Sequence, residues 1–143
     1  MHEFEAKIKT PDGVLDTFIC HPEEGGPHPA VIIYMDAPAI REELRDMARR
    51  IATAGYYVAL PNRYSRHGTE HTDGFEFSKM REPGGEKHGA RMFELMGSLS
   101  NAKIVSDTRP LLDAIRADKN AKDGPMGCVG YCMSGQFIVA VAA

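Results

Sequence analysis

Apolar and polar residues alternate along residues 3–10 (E-F-E-A-K-I-K-T) and again along 14–21, with Pro11-Asp12-Gly13 between the two runs. A period of two on either side of a turn signal predicts an antiparallel hairpin. Residues 22–29 hold three Pro and two Gly and read as a connecting loop. Residues 30–35 (A-V-I-I-Y-M) are apolar throughout, the pattern of a strand covered on both faces, and are expected to form the first parallel strand. From Ile40 the period lengthens to that of a helix. Ile40, Leu44, Met47, Ala48, Ile51 and Ala52 share one face, Arg41, Glu42, Arg45, Asp46 and Arg49 lie on others, and Gly55 supplies a stop. Residues 56–60 read as a second parallel strand, ended by Pro61. Strand, helix and strand in succession predict an α/β fold with a doubly wound sheet, the N-terminal hairpin extending one edge.

Between residues 62 and 100 the pattern weakens into charged, Gly-rich and His-containing sequence, and one short helix is expected around 91–96. Excursions this long in a compact domain are usually functional or mobile. Helical periodicity resumes over 103–117 through Ile104, Leu111, Leu112 and Ile115. Pro110 requires that this helix either begin near Thr108 or kink. A polar turn over 118–125 leads to a short buried strand at 126–129, a sharp turn at 130–134 and the start of a helix at 135.

That last passage, M-G-C-V-G-Y-C-M-S-G, puts Cys132 at a strand-to-helix corner. Such a corner holds a thiol at the carboxyl end of a parallel sheet, where open α/β folds keep their ligands. It also aims the first helical N–H groups and the positive end of the helix dipole at the sulfur, which favours the nucleophilic thiolate. Backbone is crowded there and the nucleophile takes a strained conformation, so small residues are needed; Gly130, Ser134 and Gly135 meet that need. The competing reading is that Cys132 is a small core residue following a buried strand.

Composition narrows the function classes. A chain of 143 residues suits one domain, taken as 1–143. A net charge of −3 and a pI near 6.1 give no basic footprint, which argues against nucleic acid as a partner. The longest apolar run, 137–143, falls far short of a membrane span, and the first residues lack the regions of a signal peptide. Cys20, Cys128 and Cys132 cannot all pair, and reduced thiols in a cytoplasmic protein are the simpler expectation.

Asp36 and Ala37 directly follow the first parallel strand, whose end should lie beside that of the cysteine strand. A backbone N–H there, with that of Met133, would form an oxyanion hole for a tetrahedral acyl intermediate; the alternative is an ordinary strand-to-helix loop.

Four blocks carry a resemblance: Y-M-D-A-P-A-I-R at 34–41, G-Y-Y-V-A-L-P-N-R-Y-S-R at 55–66, M-F-E-L-M at 92–96, and G-C-V-G-Y-C-M-S-G at 127–135. In this order they resemble the dienelactone hydrolase family of α/β-hydrolases over essentially the whole chain. The resemblance implies a cytosolic hydrolase without cofactor or metal. It would open small esters or lactones with a Cys-His-Asp triad whose nucleophile is Cys132. It also implies that Asp36 is an acid modulating the thiol, the alternative being an Asp that caps its loop. Arg41, Arg66 or Arg81 would bind an anionic substrate, the alternative for each being a surface charge. Ala39 stands where related sequences often have Gly, Asn62 where Asp is usual, and Ser134 where dienelactone hydrolases proper have a further Gly.

In α/β-hydrolases the acid and histidine of the triad follow the nucleophile in the chain. Here all six histidines precede Cys132; His67, His71 and His88 are the ones a surrogate base would come from. The expectation is therefore a domain lacking the C-terminal part that carries the Asp and His, with the cysteine strand left as a bare sheet edge open to self-association. Read through Gln136, the corner is also similar to class I glutamine amidotransferases, which use a Cys-His-Glu triad. A non-enzymatic alternative is a thiol-sensing or binding module.

Overall fold

The computed structural model describes residues 1–143. Strands β1 (His2–Thr10) and β2 (Gly13–His21) form the expected hairpin, its register pairing Thr10 with Gly13 around Pro11-Asp12. Gly13 turns at φ +133°, a conformation that L side chains rarely adopt. Strand β3 (Ala30–Tyr34), helix α1 (Glu42–Thr53) and strand β4 (Tyr57–Pro61) form the strand–helix–strand unit, with β3 and β4 parallel. Helices α2 (Glu86–Gly97) and α3 (Asn101–Ala117) precede strand β5 (Gly127–Gly130), and helix α4 (Gly135–Ala142) follows it. The sheet order is β1-β2-β4-β3-β5, with β5 parallel to β3 and at the edge.

The two faces of the sheet carry separate cores. One packs Leu44, Ala48 and Ala52 of α1 and Met92 and Leu95 of α2 against Ile33, Val58 and Leu60. The other packs Ile104, Leu111 and Ile115 of α3 and Phe137 of α4 against Ile32, Tyr34 and Ala59. Alternate residues of each central strand thus feed opposite layers, which explains why residues 30–35 carry no polar position. The chain leaves β3 toward α1 on one face and leaves β5 toward α4 on the other. Adjacent strands whose connections diverge in this way open a crevice between their carboxyl ends.

Three elements depart from expectation. Helix α2 spans twelve residues where a short helix at 91–96 was expected, and a 3₁₀ turn, Phe77–Lys79, precedes it. His88 and Gly89 interrupt the apolar period there, but Met92 and Leu95 anchor the helix to the core. Helix α3 covers the expected 103–117 and does not start near Thr108. It begins after Ser100, whose side chain accepts from the Lys103 N–H at 3.2 Å, and runs through the proline. Third, Gly135 has no steric need to be glycine: a Cβ there would meet nothing within 4 Å, because its Cα faces open space. No helix is long and apolar enough to cross a membrane.

Candidate active site

Three loops, one at the carboxyl end of each parallel strand, meet at the candidate site, joined by the Tyr64 hydroxyl to Ala37 O and Met133 Sδ. The corner after β5 is the tightest. Tyr131 closes the ladder by donating its N–H to the Tyr34 carbonyl at 3.3 Å, and Cys132 follows at φ +54°, in the left-handed region. A non-glycine residue is held there at a cost of roughly 1–2 kcal/mol, so the surroundings must over-determine it. They do: Ser134 N–H donates to Tyr131 O at 3.0 Å, and the buried Ser134 hydroxyl donates to Met35 O in the loop after β3. Gly130 leaves no room for a side chain. A Cβ there would stand 2.7 Å from both Ile138 Cγ2 and Ser134 O.

The three cysteines separate cleanly. Burial pushes the Cys20 thiol up to about 11, and burial also raises Cys128. Cys132 is the exposed one.

The loop after β3 turns through Ala39 N–H to Asp36 O at 3.1 Å, with Ala39 at φ +69°. That backbone accounts for a preference for glycine at this position, which Ala39 overrides. Asp36 faces Arg41, whose guanidinium grips it bidentately at 2.7 and 3.0 Å. Arg41 also donates to Ala39 O and Glu43 and lies 5.3 Å from the Phe77 ring centroid. Asp36 makes no hydrogen bond to Cys132. The Ala37 N–H and the Met133 N–H, the two amides singled out in the sequence, donate to no acceptor in the chain.

The loop after β4 holds a piece that carries no signal of its own along the chain. Tyr64 is fully buried, donates its hydroxyl to Ala37 O at 3.0 Å and touches Met133 Sδ at 3.7 Å. It therefore ties the two amide-bearing segments together from below. Burial raises its pKa first, and the nearby carboxylates of Asp36 and Asp73 raise it further, so it stays a donor. Asn62 serves this loop by accepting the Tyr64 N–H on Oδ1 at 2.9 Å, a task an Asp oxygen performs equally.

The remaining sites scatter. Arg66 is committed to Asp107 through two bonds of 2.8 Å and to Asp12 at 2.7 Å. Arg81 is exposed and pairs with nothing. None of the histidines bonds to Cys132: His88 Nδ1 accepts from Glu76 N–H, His67 is exposed, and His71 lines two clefts. Those clefts, of about 330 and 270 Å³, share Ile40, Glu70 and His71, and the second also contains Arg41 and Asp73. Cys132 lines neither; it stands on the open side of the sheet, past its edge strand.

Three layers, a sheet with an antiparallel hairpin at one edge, and a strand–cysteine–helix corner at a switch point define an α/β-hydrolase type of protein. The chain belongs to the dienelactone hydrolase family, whose model matches residues 15–143. It is similar to a candidate carboxymethylenebutenolidase of Methylorubrum extorquens, 25% identical over 97% of this chain and 44% of the relative. A second such candidate, from Yersinia pestis, is 30% identical over the full chain and 49% of the relative. Among solved structures, a candidate dienelactone hydrolase of Klebsiella pneumoniae superposes with a TM-score of 0.73 at 20% identity, covering 95% of this chain and 53% of that one. The chain thus spans about half the length of the curated relatives it matches.

Proposed function

We propose that these residues form the nucleophile half of a hydrolase of small carboxylic esters or lactones. Its attacking atom is Cys132 Sγ and its corner is a nucleophile elbow. The observation that carries the reading is an exposed cysteine held at φ +54° between a parallel strand and a helix, beside two unspent backbone amides. The sulfur adds to the substrate carbonyl carbon, and the carbonyl oxygen becomes an oxyanion received by the Ala37 and Met133 N–H groups. Collapse expels the alkoxide, which takes a proton, and leaves a thioester on Cys132 that water hydrolyses. Two of the matched relatives carry the name of a lactone hydrolase, which favours that substrate class.

Deprotonating the thiol and then the water calls for a base, and no histidine here bonds to Cys132. We infer that the base and its carboxylate partner come from outside residues 1–143, on a segment that covers the β5 edge. Asp36, exchanging Arg41 for the thiol, restrains the sulfur until substrate arrives. Arg41, Arg66 and Arg81 are assigned a lower role, that of attracting an anionic substrate. Glutamine amidotransferase chemistry draws no support from the matched family.

Intact-mass analysis after exposure to an activated phenyl ester tests the reading. A single acyl adduct on Cys132 is expected, absent in Cys132→Ala. A protein including the flanking reading frame should turn over the ester, with a loss of at least about a thousand-fold in the same variant. Turnover that survives Cys132→Ala sinks the assignment. A reactive thiol without turnover in the longer protein favours the sensing alternative.

A further inference from the structure

The second of the two clefts, of about 270 Å³, opens between the loop after β3 and the excursion over residues 70–78. Ile40, Phe75 and Phe77 supply its apolar wall. Its charged lining sets three carboxylates, those of Glu70, Asp73 and Glu76, against one guanidinium, that of Arg41. Tyr64 joins the cleft to the amide-bearing loop: its ring meets that of Phe75 edge-on with centroids 6.4 Å apart, and its hydroxyl bonds to Ala37 O.

The charges lining this cleft are not balanced. Arg41 is spent on Asp36 and Glu43. Glu70 is bonded to Arg45, and Glu76 to Lys79 at 3.2 Å. Asp73 alone among the three lacks a cation. It is 2% exposed; one carboxylate oxygen accepts the Phe75 N–H at 3.4 Å, and the other accepts no bond from the chain. Arg91 approaches but donates to the Asp73 backbone carbonyl at 2.8 Å and to Glu94, leaving the carboxylate unbonded. Burial, with no bonded cation to offset it, raises the Asp73 pKa. Buried charges are ordinarily paired, so a free carboxylate oxygen on the wall of a preformed cleft calls for a donor from outside the chain.

The lining also selects among donors. The three carboxylates do not gather around one point, and a hydrated metal ion gains nothing from Ile40, Phe75 and Phe77. An anion would find its only guanidinium already neutralised. A cation carried on carbon suits both kinds of wall, since phenyl rings attract positive charge and bury methylenes. Phe77 already shows this attraction, with the Arg41 guanidinium 5.3 Å from its ring centroid.

We propose that this cleft binds an organic ammonium group, whose N–H donates to the free Asp73 oxygen and whose carbon skeleton lies against Ile40, Phe75 and Phe77. The cleft is open in the structure as it stands, and no element has to move to form it. Binding requires no thiol, so it is read separately from any hydrolysis at Cys132.

Amide NMR titration of the chain with benzylammonium near neutral pH tests the site, with benzyl alcohol and benzoate as neutral and anionic counterparts. Saturable binding of one benzylammonium per chain is expected, about tenfold tighter than benzyl alcohol, with shifts centred on residues 73–78 and no binding of benzoate. Asp73→Asn keeps an oxygen for the Phe75 N–H and should weaken benzylammonium about tenfold while leaving benzyl alcohol within about twofold. Phe77→Leu should weaken benzylammonium about threefold. Ser78→Phe should obstruct the cleft without altering a charge. Phe77 and Ser78 are exposed, so these two variants keep the fold and carry the decision should Asp73→Asn not fold. Preference for benzoate would assign the cleft to anions through Arg41 and overturns the ammonium site. Equal affinity for the ammonium and the alcohol, affinity unchanged in Asp73→Asn or in both exposed variants, or no saturable binding overturns it as well.

Discussion

β4 and β5 both run parallel to β3, one on each side, and they are stabilised by different means. All five residues of β4 are buried, since β2 covers one flank and β3 the other. β5 has one neighbour and no fully buried residue. Beyond β4 the chain remains interior through Asn62, Arg63 and Tyr64, whereas beyond β5 Tyr131 and Cys132 emerge to solvent. The first loop is held by cover, and the second by a few close contacts around a left-handed residue. A nucleophile must meet its substrate and a buried tyrosine must not, so support without cover is what the cysteine corner requires.

The largest test of that contrast is steric. Gly130→Ala forces a methyl against Ile138 and the Ser134 carbonyl and should cost about 3 kcal/mol, the upper end for overpacking. Gly135→Ala, five residues on, meets open space and should instead stabilise the start of α4 by about 0.5 kcal/mol. Urea denaturation of the pair measures both; equal effects would mean that the corner is not held by close contact.

Cover can also be excessive. Arg63 is 1% exposed, its three side-chain nitrogens have no hydrogen-bond partner, and it lies 4.2 Å from the Tyr34 ring centroid. Burial pulls its pKa below the ordinary guanidinium value. Asp107, the carboxylate whose charge acts on it, is already committed to Arg66. Arg63→Met should therefore raise stability by about 2 kcal/mol, read as a higher urea midpoint at unchanged slope. A fall would show that the stacking on Tyr34 outweighs the desolvation.

A smaller effect belongs to Ser134→Ala, which leaves the Met35 carbonyl without its buried donor. A loss of about 1 kcal/mol is expected, together with faster alkylation of Cys132 by iodoacetamide as the corner loosens. Smallest is a pH effect beside Tyr64. Burial raises the Asp73 pKa above its unfolded value, so folding retains a proton that the unfolded chain releases. The associated stability is fully present below the ordinary carboxylate pKa and is lost as pH rises through the folded value. Asp73→Asn should flatten that slope, as urea midpoints across the acidic range will reveal.

Where neighbours in sequence are neighbours in space, the reading of residues alone went far. The hairpin at Pro11-Asp12-Gly13, the doubly wound unit through α1 and the need for glycine at 130 all express short-range limits. Helix α3 escaped because Pro110 argues locally for a break, while Ile104, Leu111 and Ile115 bury against the sheet on both sides of it. Gly135 was misread because a motif does not say which way a Cα faces. Tyr64 carried no signal beyond its place in a resembling block, for its hydroxyl matters only through Ala37 and Met133, 27 and 69 residues away.

Periodicity, turn residues and the spacing around Cys132 thus determined the α/β class and the strand-to-helix corner, because φ/ψ limits and side-chain alternation act within a few residues. Tertiary structure alone decided the partners: Asp36 with Arg41, Arg66 with Asp107, and Arg63 with the Tyr34 ring. Charges, lone pairs and ring faces act through space, and their strength depends on burial and distance, which no stretch of chain specifies until the strands have been set side by side.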